Sequence, residues 1–580
     1  MTKDGFTITY NGEVYNYPDL RSSLLTERPG LHLDSTSDTE VLLRVLEHCI
    51  LSHTGEGLPN VVPVLNTFNG FFAFGLWDSA RKRLLLVRDR YGIKPLYYYH
   101  DKDHFLAFAS EVETLLASSL FKPLVDLDTL HLFCSISTFF AGTSKTLVHG
   151  VRSLDPGQYM WVDTISGDVS IGNYYTLPDE DPALANVTSE EAVVHMKHLL
   201  EDSIQLRMVS DVPLSSFLSG GIDSSVITAI ASHSASVGSK EAESSNIHSP
   251  DHPESIARSK AITAYTVTYL GQGQNPGAAA DEEFARKVST HLGPKLCNHK
   301  FVSVDPMTFT LGDIDELGDL GTFSDDDRLL TILMNYRAVK KEGFSVILNG
   351  QGADEAMGGY VGAGWFKGGM VNIQDPDTPL FDKVLDFIMD PKLFQEPLRS
   401  YGPNARQAYH DVWSSFRGSP PQISMKWLFS TSLHRILRFE DYLSMRSAVE
   451  CRVPILDYRL VDYCFRLPWR IHVNSELYTG KLLLRELSKA YLPDDVCQRP
   501  KQQFPNVNPE ALNQRLKTII IEHLEAIREC PIIKYIWIPE VFASPEGLDM
   551  CSGSDFWVIV IYWRWWLKFA SYGGSFPLSK

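Results

Sequence analysis

Two short stretches hold the residues best suited to chemistry. Residues 217–225 read FLSGGIDSS and residues 346–355 read VILNGQGADE. In each, an apolar run enters a pair of glycines and meets an aspartate a few residues later. Gly220 and Gly221 lack a Cβ, so ligand oxygens can approach the backbone amides, and a helix starting just beyond adds its positive N-terminal end. Ser219, Ser224 and Ser225 add hydroxyl donors. Asp223 is the odd member, because a carboxylate beside bound phosphates is repelled unless a cation such as Mg²⁺ lies between them. The turn therefore calls for a magnesium-bound polyphosphate. It is neither the GxxxxGK[ST] loop nor the GxGxxG dinucleotide turn. A tight turn without a ligand is the plain alternative for SGG taken alone.

The second stretch supplies Asp354 and Glu355, either of which could give the same metal a second carboxylate from a neighbouring strand end. Open α/β sheets collect ligands at the carboxyl ends of their strands, so two such ends meeting at one nucleotide is physically reasonable. The plain alternative here is a glycine turn with a solvated acidic pair.

The elements that position these residues can be read from pattern. From Phe6 to about residue 175 short alternating runs (FTITYNGEVYNY, FNGFFAFGLWD, RLLLVRDRYGIKPLYYYH, HFLAFAS, QYMWVD, GNYYTL) predict antiparallel sheet. LPDEDPALANVTSEE reads as a linker, and EEAVVHMKHLLEDSIQLRMV predicts the helix that opens a second domain. Beyond it PLSSFLS, AYTVTYL and FSVILNG alternate with helical stretches, the pattern of a parallel α/β sheet. The serine-rich segment 232–260 predicts a mobile insertion, and from about residue 425 the pattern is mostly helical.

At 580 residues the chain exceeds one core and predicts two to three domains. Its 44% hydrophobic and 21% charged residues are those of an ordinary globular protein, and a net charge of −18 argues against nucleic acid or an anionic membrane as partner. The eight cysteines form no CxxC pair and no zinc-like spacing, which fits a reducing compartment. No signal-like core opens the chain, and FWVIVIYW is too short to cross a bilayer before Arg564 interrupts it. A cytoplasmic enzyme acting on small molecules is the expectation.

The S-G-G-x-D-S pattern resembles the pyrophosphate loop of N-type ATP pyrophosphatases, and the two stretches together resemble the asparagine synthetase family. EDYLSMRSAVECRVPILDYRLVDYCFRLP looks like that family's long helical signature, and KLLLRELSKAYLPDDVCQRPKQQF looks like its final lysine-bearing segment. NGEVYNY, SDTEVLL, FNGFFAFGLWD, VRDRYGIKPLYYY and FASEVETLL are similar to its glutamine amidotransferase domain. The resemblance implies an α/β multidomain protein. Residues 1–175 would form class II glutamine amidotransferase-like stacked antiparallel sheets and residues 176–190 a linker. Residues 191–575 would form an adenine nucleotide alpha hydrolase-like (PP-loop) parallel sheet with a helical tail.

It further implies ATP and Mg²⁺ as cofactors, aspartate as the default acid, and ammonia or glutamine as nitrogen source, with room for a homodimer. Carried over residue by residue, Ser219, Gly220, Gly221, Asp223, Ser224 and Ser225 would hold pyrophosphate, with Asp223 and Asp354 binding Mg²⁺. Leu218, Val267, Asn349 and Gly350 would line the adenosine site. Lys501 would neutralise charge on the α-phosphate, since a fixed ammonium aimed at developing negative charge is efficient electrostatic catalysis. Asn11, Gly12 and Glu13 would serve the glutamine-derived intermediate, and Asp38 the substrate amino group. NGE also has the composition of a turn at a strand edge.

The sequence departs from the family in three places. The family's glutaminase nucleophile is an N-terminal cysteine, whereas Met1 is followed here by Thr2 and the first cysteine, Cys49, lies in a helical pattern. An N-terminally shortened chain lacking the nucleophilic cysteine is the expectation, which leaves glutaminase activity doubtful. Gln351 stands where the family usually has a carboxylate, and an amide neither takes nor gives a proton near neutral pH. Cys451 stands where valine is preferred, a milder change that reads as core packing. These departures leave three readings: an asparagine synthetase-type ligase; an amidotransferase or β-lactam-synthetase-like enzyme acting on another acid; and a catalytically silent nucleotide-binding homologue.

Overall fold

Strand β3 (Gly70–Asp78) shows how the N-terminal part is built. Phe72, Phe74 and Leu76 point to one side and Ala73 to the other, and the adjacent β4 (Arg83–Arg88) divides Leu85 and Val87 from Leu84 and Leu86 in the same way. Successive strand side chains face opposite ways, so a sheet with both faces covered reads as a nearly continuous apolar run. The first face packs on the helix Asp38–Leu51 through Leu42, Leu43, Leu46 and Ile50. The second packs on Leu96, Tyr98 and Leu154, with Leu106 and Phe108.

The computed structural model describes residues 1–55, 57–101, 105–118, 121–136, 144–244, 261–269, 276–323, 326–362, 415–417, 420–474, 477, 479–501, 509–551 and 553–577. Two units form, one from residues 1–121 and 143–177, the other from residues 122–142 and 178–580. The first unit holds a six-stranded antiparallel sheet in the order β1-β2-β3-β4-β8-β9. Its other members are β1 (Thr2–Lys3), β2 (Phe6–Val14), β8 (Gln158–Asp163) and β9 (Val169–Asn173). A three-stranded antiparallel sheet is ordered β6-β5-β7, from β5 (Tyr97–Asp101), β6 (Phe105–Ala109) and β7 (Val151–Ser153). NGE is no turn: Asn11, Gly12 and Glu13 lie within β2, paired with Ala73, Phe72 and Phe71.

The second unit is organised by a five-stranded sheet in the order β12-β11-β10-β13-β14, parallel throughout. Its strands are β10 (Leu214–Phe217), β11 (Ile262–Tyr269), β12 (Cys297–Val304), β13 (Val346–Leu348) and β14 (Glu450–Arg452). From β10 the chain runs outward through β11 to β12, then returns to place β13 on the other side of β10. The strand order therefore reverses between β10 and β13, the position where open parallel sheets bind ligands. The helix Ser189–Met208 that opens this unit carries a capping box, Thr188 with Glu191.

Three patterns differ from their sequence reading. The signature at 440–468 is not one helix: the helix His434–Arg446 stops, and β14 adds to the sheet before the helix Tyr458–Arg466 begins. Three residues are too few for a strand period to show. The helix after the glycine turn runs Ile222–Ser244, well into the serine-rich segment, and residues 245–260 lie outside the described residues. Strand β12 carries no strand pattern of its own, because CNHKFVSV mixes polar residues with few apolar ones. Among the described residues no helix is long and apolar enough to cross a membrane, and all eight cysteines are free.

Candidate active site

The glycine turn is held from three sides. Leu218 leaves β10 with its N–H donating to Tyr265 O at 2.8 Å, and its carbonyl accepts from the Thr266 hydroxyl. Gly220 takes φ +73°, and a Cβ there would stand 2.6 Å from both Ala285 N and Asp281 O on the helix Pro276–Leu292. Only glycine meets both demands, the left-handed backbone and the close approach. Within the turn Ser219 N–H donates to Ser224 Oγ at 3.0 Å, and the two hydroxyls lie 2.9 Å apart. Ser225 is fully buried and its Oγ has no hydrogen-bond partner among the described residues.

The second stretch leaves β13 directly beside it. A Cβ on Gly350 would stand 3.0 Å from Asp223 Cβ, Asp223 C and Ser224 N, so the two loops touch at their aspartate and glycine. Asp223 sits in the first turn of the helix Ile222–Ser244, and Asp354 in the short helix Ala353–Met357.

Lys481 joins the two acids. Its Nζ lies 2.6 Å from Asp223 Oδ2 and 2.7 Å from Asp354 Oδ1, while Lys501 Nζ donates to Asp354 Oδ2 at 2.6 Å. Burial by itself would raise the Asp354 carboxyl, but the ammonium groups of Lys481 and Lys501 outweigh it and hold the carboxyl well below the usual range. Burial opposes the charge on Lys501 too, and Asp354 and Asp223 together raise it nonetheless. Glu355 does not join this group: it is buried, accepts from Tyr360 OH at 2.5 Å, and burial lifts it to about 7 with help from the Asp354 charge.

One buried guanidinium registers both lysines. Arg485 Nε donates to Gly480 O at 3.0 Å, beside Lys481, and its Nη1 donates to Cys497 O at 2.7 Å and Arg499 O at 3.0 Å, just before Lys501. Arg499 in turn pairs with Asp281 and lies over the Phe284 ring at 4.5 Å, on the helix that backs Gly220. Lys481 and Arg485 were not singled out from sequence. The i, i+4 spacing in KLLLR was the available signal, but most such pairs are solvated helix faces.

Behind the loops lies a buried acid. Glu440 Oε1 accepts from Asn349 Nδ2 at 2.8 Å and from Tyr336 OH, with Cys451 Sγ 3.9 Å away. Burial raises its carboxyl, and hydrogen bonds from Tyr336, Asn349, Gln351 and Cys451 oppose the rise. Gln351 thus leans on a carboxyl, and Cys451 does more than fill space, because its thiol faces the same acid. Val267 is half-buried on β11, one residue beyond the Thr266 that holds Leu218 O.

The residues at the β10 and β13 ends fit a nucleotide with a divalent metal. Asp223 Oδ1 is buried without a hydrogen-bond partner among the described residues, and two carboxylates from different loops converge there. Among the described residues no group of three His, Cys, Asp or Glu side chains is placed to hold a metal. A metal at the pair would therefore complete its shell with water and phosphate oxygens, as Mg²⁺ commonly does.

In the first unit Asp38 is largely buried, its Oδ2 accepting from Tyr10 OH at 2.6 Å and Val14 N–H at 3.1 Å. These bonds pin the helix Asp38–Leu51 to β2. Asn11 Nδ2 donates to Ser110 Oγ at 3.3 Å.

Comparison with known proteins agrees with this architecture. Residues 195–568 match the asparagine synthase family and residues 1–175 the glutamine amidotransferase domain, so the chain belongs to the asparagine synthase family, with an amidotransferase-type domain before the synthase domain. It is 31% identical to asparagine synthetase [glutamine-hydrolyzing] 3 of Bacillus subtilis over 543 residues, covering 89% of this chain and 78% of that protein. It is 25% identical to asparagine synthetase B of Escherichia coli, covering 86% of this chain and 69% of that protein. It is also 25% identical to the amidase chry2 of Gibberella zeae, covering 86% and 77%.

Proposed function

We propose that the second unit uses ATP to adenylate a carboxylic acid and converts the acyl adenylate to an amide, with aspartate the default acid and ammonia, free or drawn from glutamine, the nitrogen donor. The carrying observation is the convergence of Asp223, Asp354, Lys481 and Lys501 where the strand order reverses between β10 and β13. A carboxylate oxygen attacks the α-phosphorus and pyrophosphate leaves. Ammonia then attacks the acyl carbon, AMP leaves, and the nitrogen loses a proton. Ser219 to Ser225 grip the leaving pyrophosphate with backbone amides and hydroxyls. Leu218, Val267, Asn349 and Gly350 line the adenosine. Lys501 neutralises charge that develops on the α-phosphate. Asp223 and Asp354 would hold a magnesium ion, which when bound supplies charge neutralisation of the phosphates. In the first unit Asn11, Gly12, Glu13 and Asp38 are read as a vestigial glutamine site.

The test is pyrophosphate release from ATP with Mg²⁺ and ammonium over a panel of amino and organic acids. Release with aspartate and appearance of asparagine support the proposal. No release with any acid sinks it in favour of a silent nucleotide-binding protein.

A second reading keeps the chemistry and changes the acid. Gln351 cannot serve as a base, and its hydrogen bond to the buried Glu440 ties this stretch to a second polar group behind the loops. Relatives named as amidases, such as that of Gibberella zeae, accord with a different acceptor. Release with another acid of the panel, and not with aspartate, selects this reading.

A further inference from the structure

Lys481 has the least exposed side chain of the four charged groups at the site, 3% against 18% for Asp223, 12% for Asp354 and 29% for Lys501. Its backbone is left-handed, φ +58°, a conformation that costs a non-glycine residue of order 1 kcal/mol or more and persists only where the surroundings over-determine it. They do so here. Lys481 N–H donates to Met357 O at 3.1 Å, and Arg485 holds Gly480 O. Gly359 closes one side, since a Cβ on it would collide with Lys481 Cε and Asp354 Oδ1. The fold thus expends strain to put one ammonium between two carboxylates from different loops.

That position carries a consequence for metal binding. Mg²⁺ takes oxygen ligands at about 2.0–2.1 Å in strict geometry and gives up its waters reluctantly. A nitrogen 2.6 Å from Asp223 Oδ2 and 2.7 Å from Asp354 Oδ1 fills the gap that a metal bridging these oxygens would need. Two cations cannot share it. With Lys501 on Asp354 Oδ2, Asp223 Oδ1 is the one oxygen of the four without a lysine beside it among the described residues, too few for a lone metal, so the ammonium and the metal are alternative partners of the two carboxylates.

We propose that Lys481 is a built-in competitor cation: it holds Asp223 and Asp354 together, keeps a lone divalent metal off them, and yields the pair only when nucleotide phosphates offer its ammonium another anion. The inference rests on the nucleotide reading and adds an order of loading, in which metal arrives with phosphate and not before it. Neutralising the lysine removes the competitor, so a variant that binds nucleotide less well binds bare metal better. A lysine serving only as a phosphate ligand would not give that pair of opposite effects.

The experiment titrates the full chain with Mn²⁺ alone, followed by electron paramagnetic resonance, for the native protein, Lys481→Met and Lys481→Gln. Removing a unit charge a few ångströms away is expected to tighten Mn²⁺ binding by at least about tenfold in both variants. Native protein is expected to gain thermal stability from Mn²⁺ with α,β-methylene-ATP and almost none from Mn²⁺ alone. Equal Mn²⁺ affinity in native protein and variants overturns the proposal. So does equal stabilisation of native protein by Mn²⁺ with and without the analogue, a measurement that needs no variant to fold. If native protein takes no analogue even at saturating metal, the nucleotide reading itself has failed, which the analogue titration reports separately.

Discussion

Gly350 and Asp223 lie in van der Waals contact across two loops, with a Cβ on Gly350 placed 3.0 Å from Asp223 Cβ and from its carbonyl carbon. The contact ties the end of β13 to the first turn of the helix Ile222–Ser244. A methyl group there is tighter than ordinary packing, so Gly350→Ala should push Asp223 aside by a few tenths of an ångström. The fold should survive at a cost of about 1–3 kcal/mol. Mg²⁺-ATP affinity, read by calorimetry, should fall by about tenfold, because positioning rather than charge is lost. Unchanged affinity would show that the contact does not position the aspartate.

Arg485 should be intolerant even of lysine. Its guanidinium reaches Gly480 O, Cys497 O and Arg499 O together, a fork that one ammonium cannot reproduce. Arg485→Lys keeps the charge but frees the segments carrying Lys481 and Lys501. Pyrophosphate release should drop by about tenfold or more, with a loss of about 1–3 kcal/mol in chemical denaturation from buried carbonyls left unpaired.

The pair Arg207–Asp457 is a stability element away from the chemistry. Its N–O distance is 3.0 Å with both side chains essentially unexposed, and Asp457 also receives two bonds from Arg459 and caps the helix Tyr458–Arg466. Asp457→Ala strands a buried guanidinium and should cost about 3–5 kcal/mol, read as a lowered urea midpoint. Arg207→Met with Asp457→Leu should recover much of that loss, since a buried pair is dearer to break than to replace.

His472 sets an acid limit. It is buried, its Nε2 donates to Cys464 O at 2.8 Å, and burial lowers its pKa to about 4. The folded protein therefore holds the imidazole neutral where the unfolded chain protonates it. Its contribution to stability is complete above about pH 6.5 and is lost as pH falls from there to about 4, by about 3 kcal/mol in all. His472→Gln, which keeps a donor for Cys464 O, should remove that part of the slope in pH-dependent denaturation. Because the folded imidazole stays neutral down to about pH 4, His472 O keeps accepting from Leu482 N–H at 3.0 Å, next to Lys481, and nucleotide affinity of the folded protein should not weaken through His472 above that pH.

Much of this was legible in the chain. Strand, glycine pair, aspartate and helix are local patterns, so FLSGGIDSS and VILNGQGADE announced their turns through residue types alone. The antiparallel first unit and the parallel second one likewise followed from alternation and from strand–helix alternation. Short or polar strands escaped: β14 has three residues and β12 little apolar content, and both were recruited by a neighbouring strand rather than by their own pattern.

The sequence by itself determined which loops could bind an anion, because backbone freedom at glycine and the charge of aspartate are properties of single residues. Which groups meet there was decided only by the folded chain. Lys481 lies 258 residues from Asp223, and Glu440 lies 91 from Asn349, separations across which no local pattern carries information. Side chains so distant in sequence are brought within hydrogen-bond distance by the order of strands in one parallel sheet, and that order follows from the burial of the whole core.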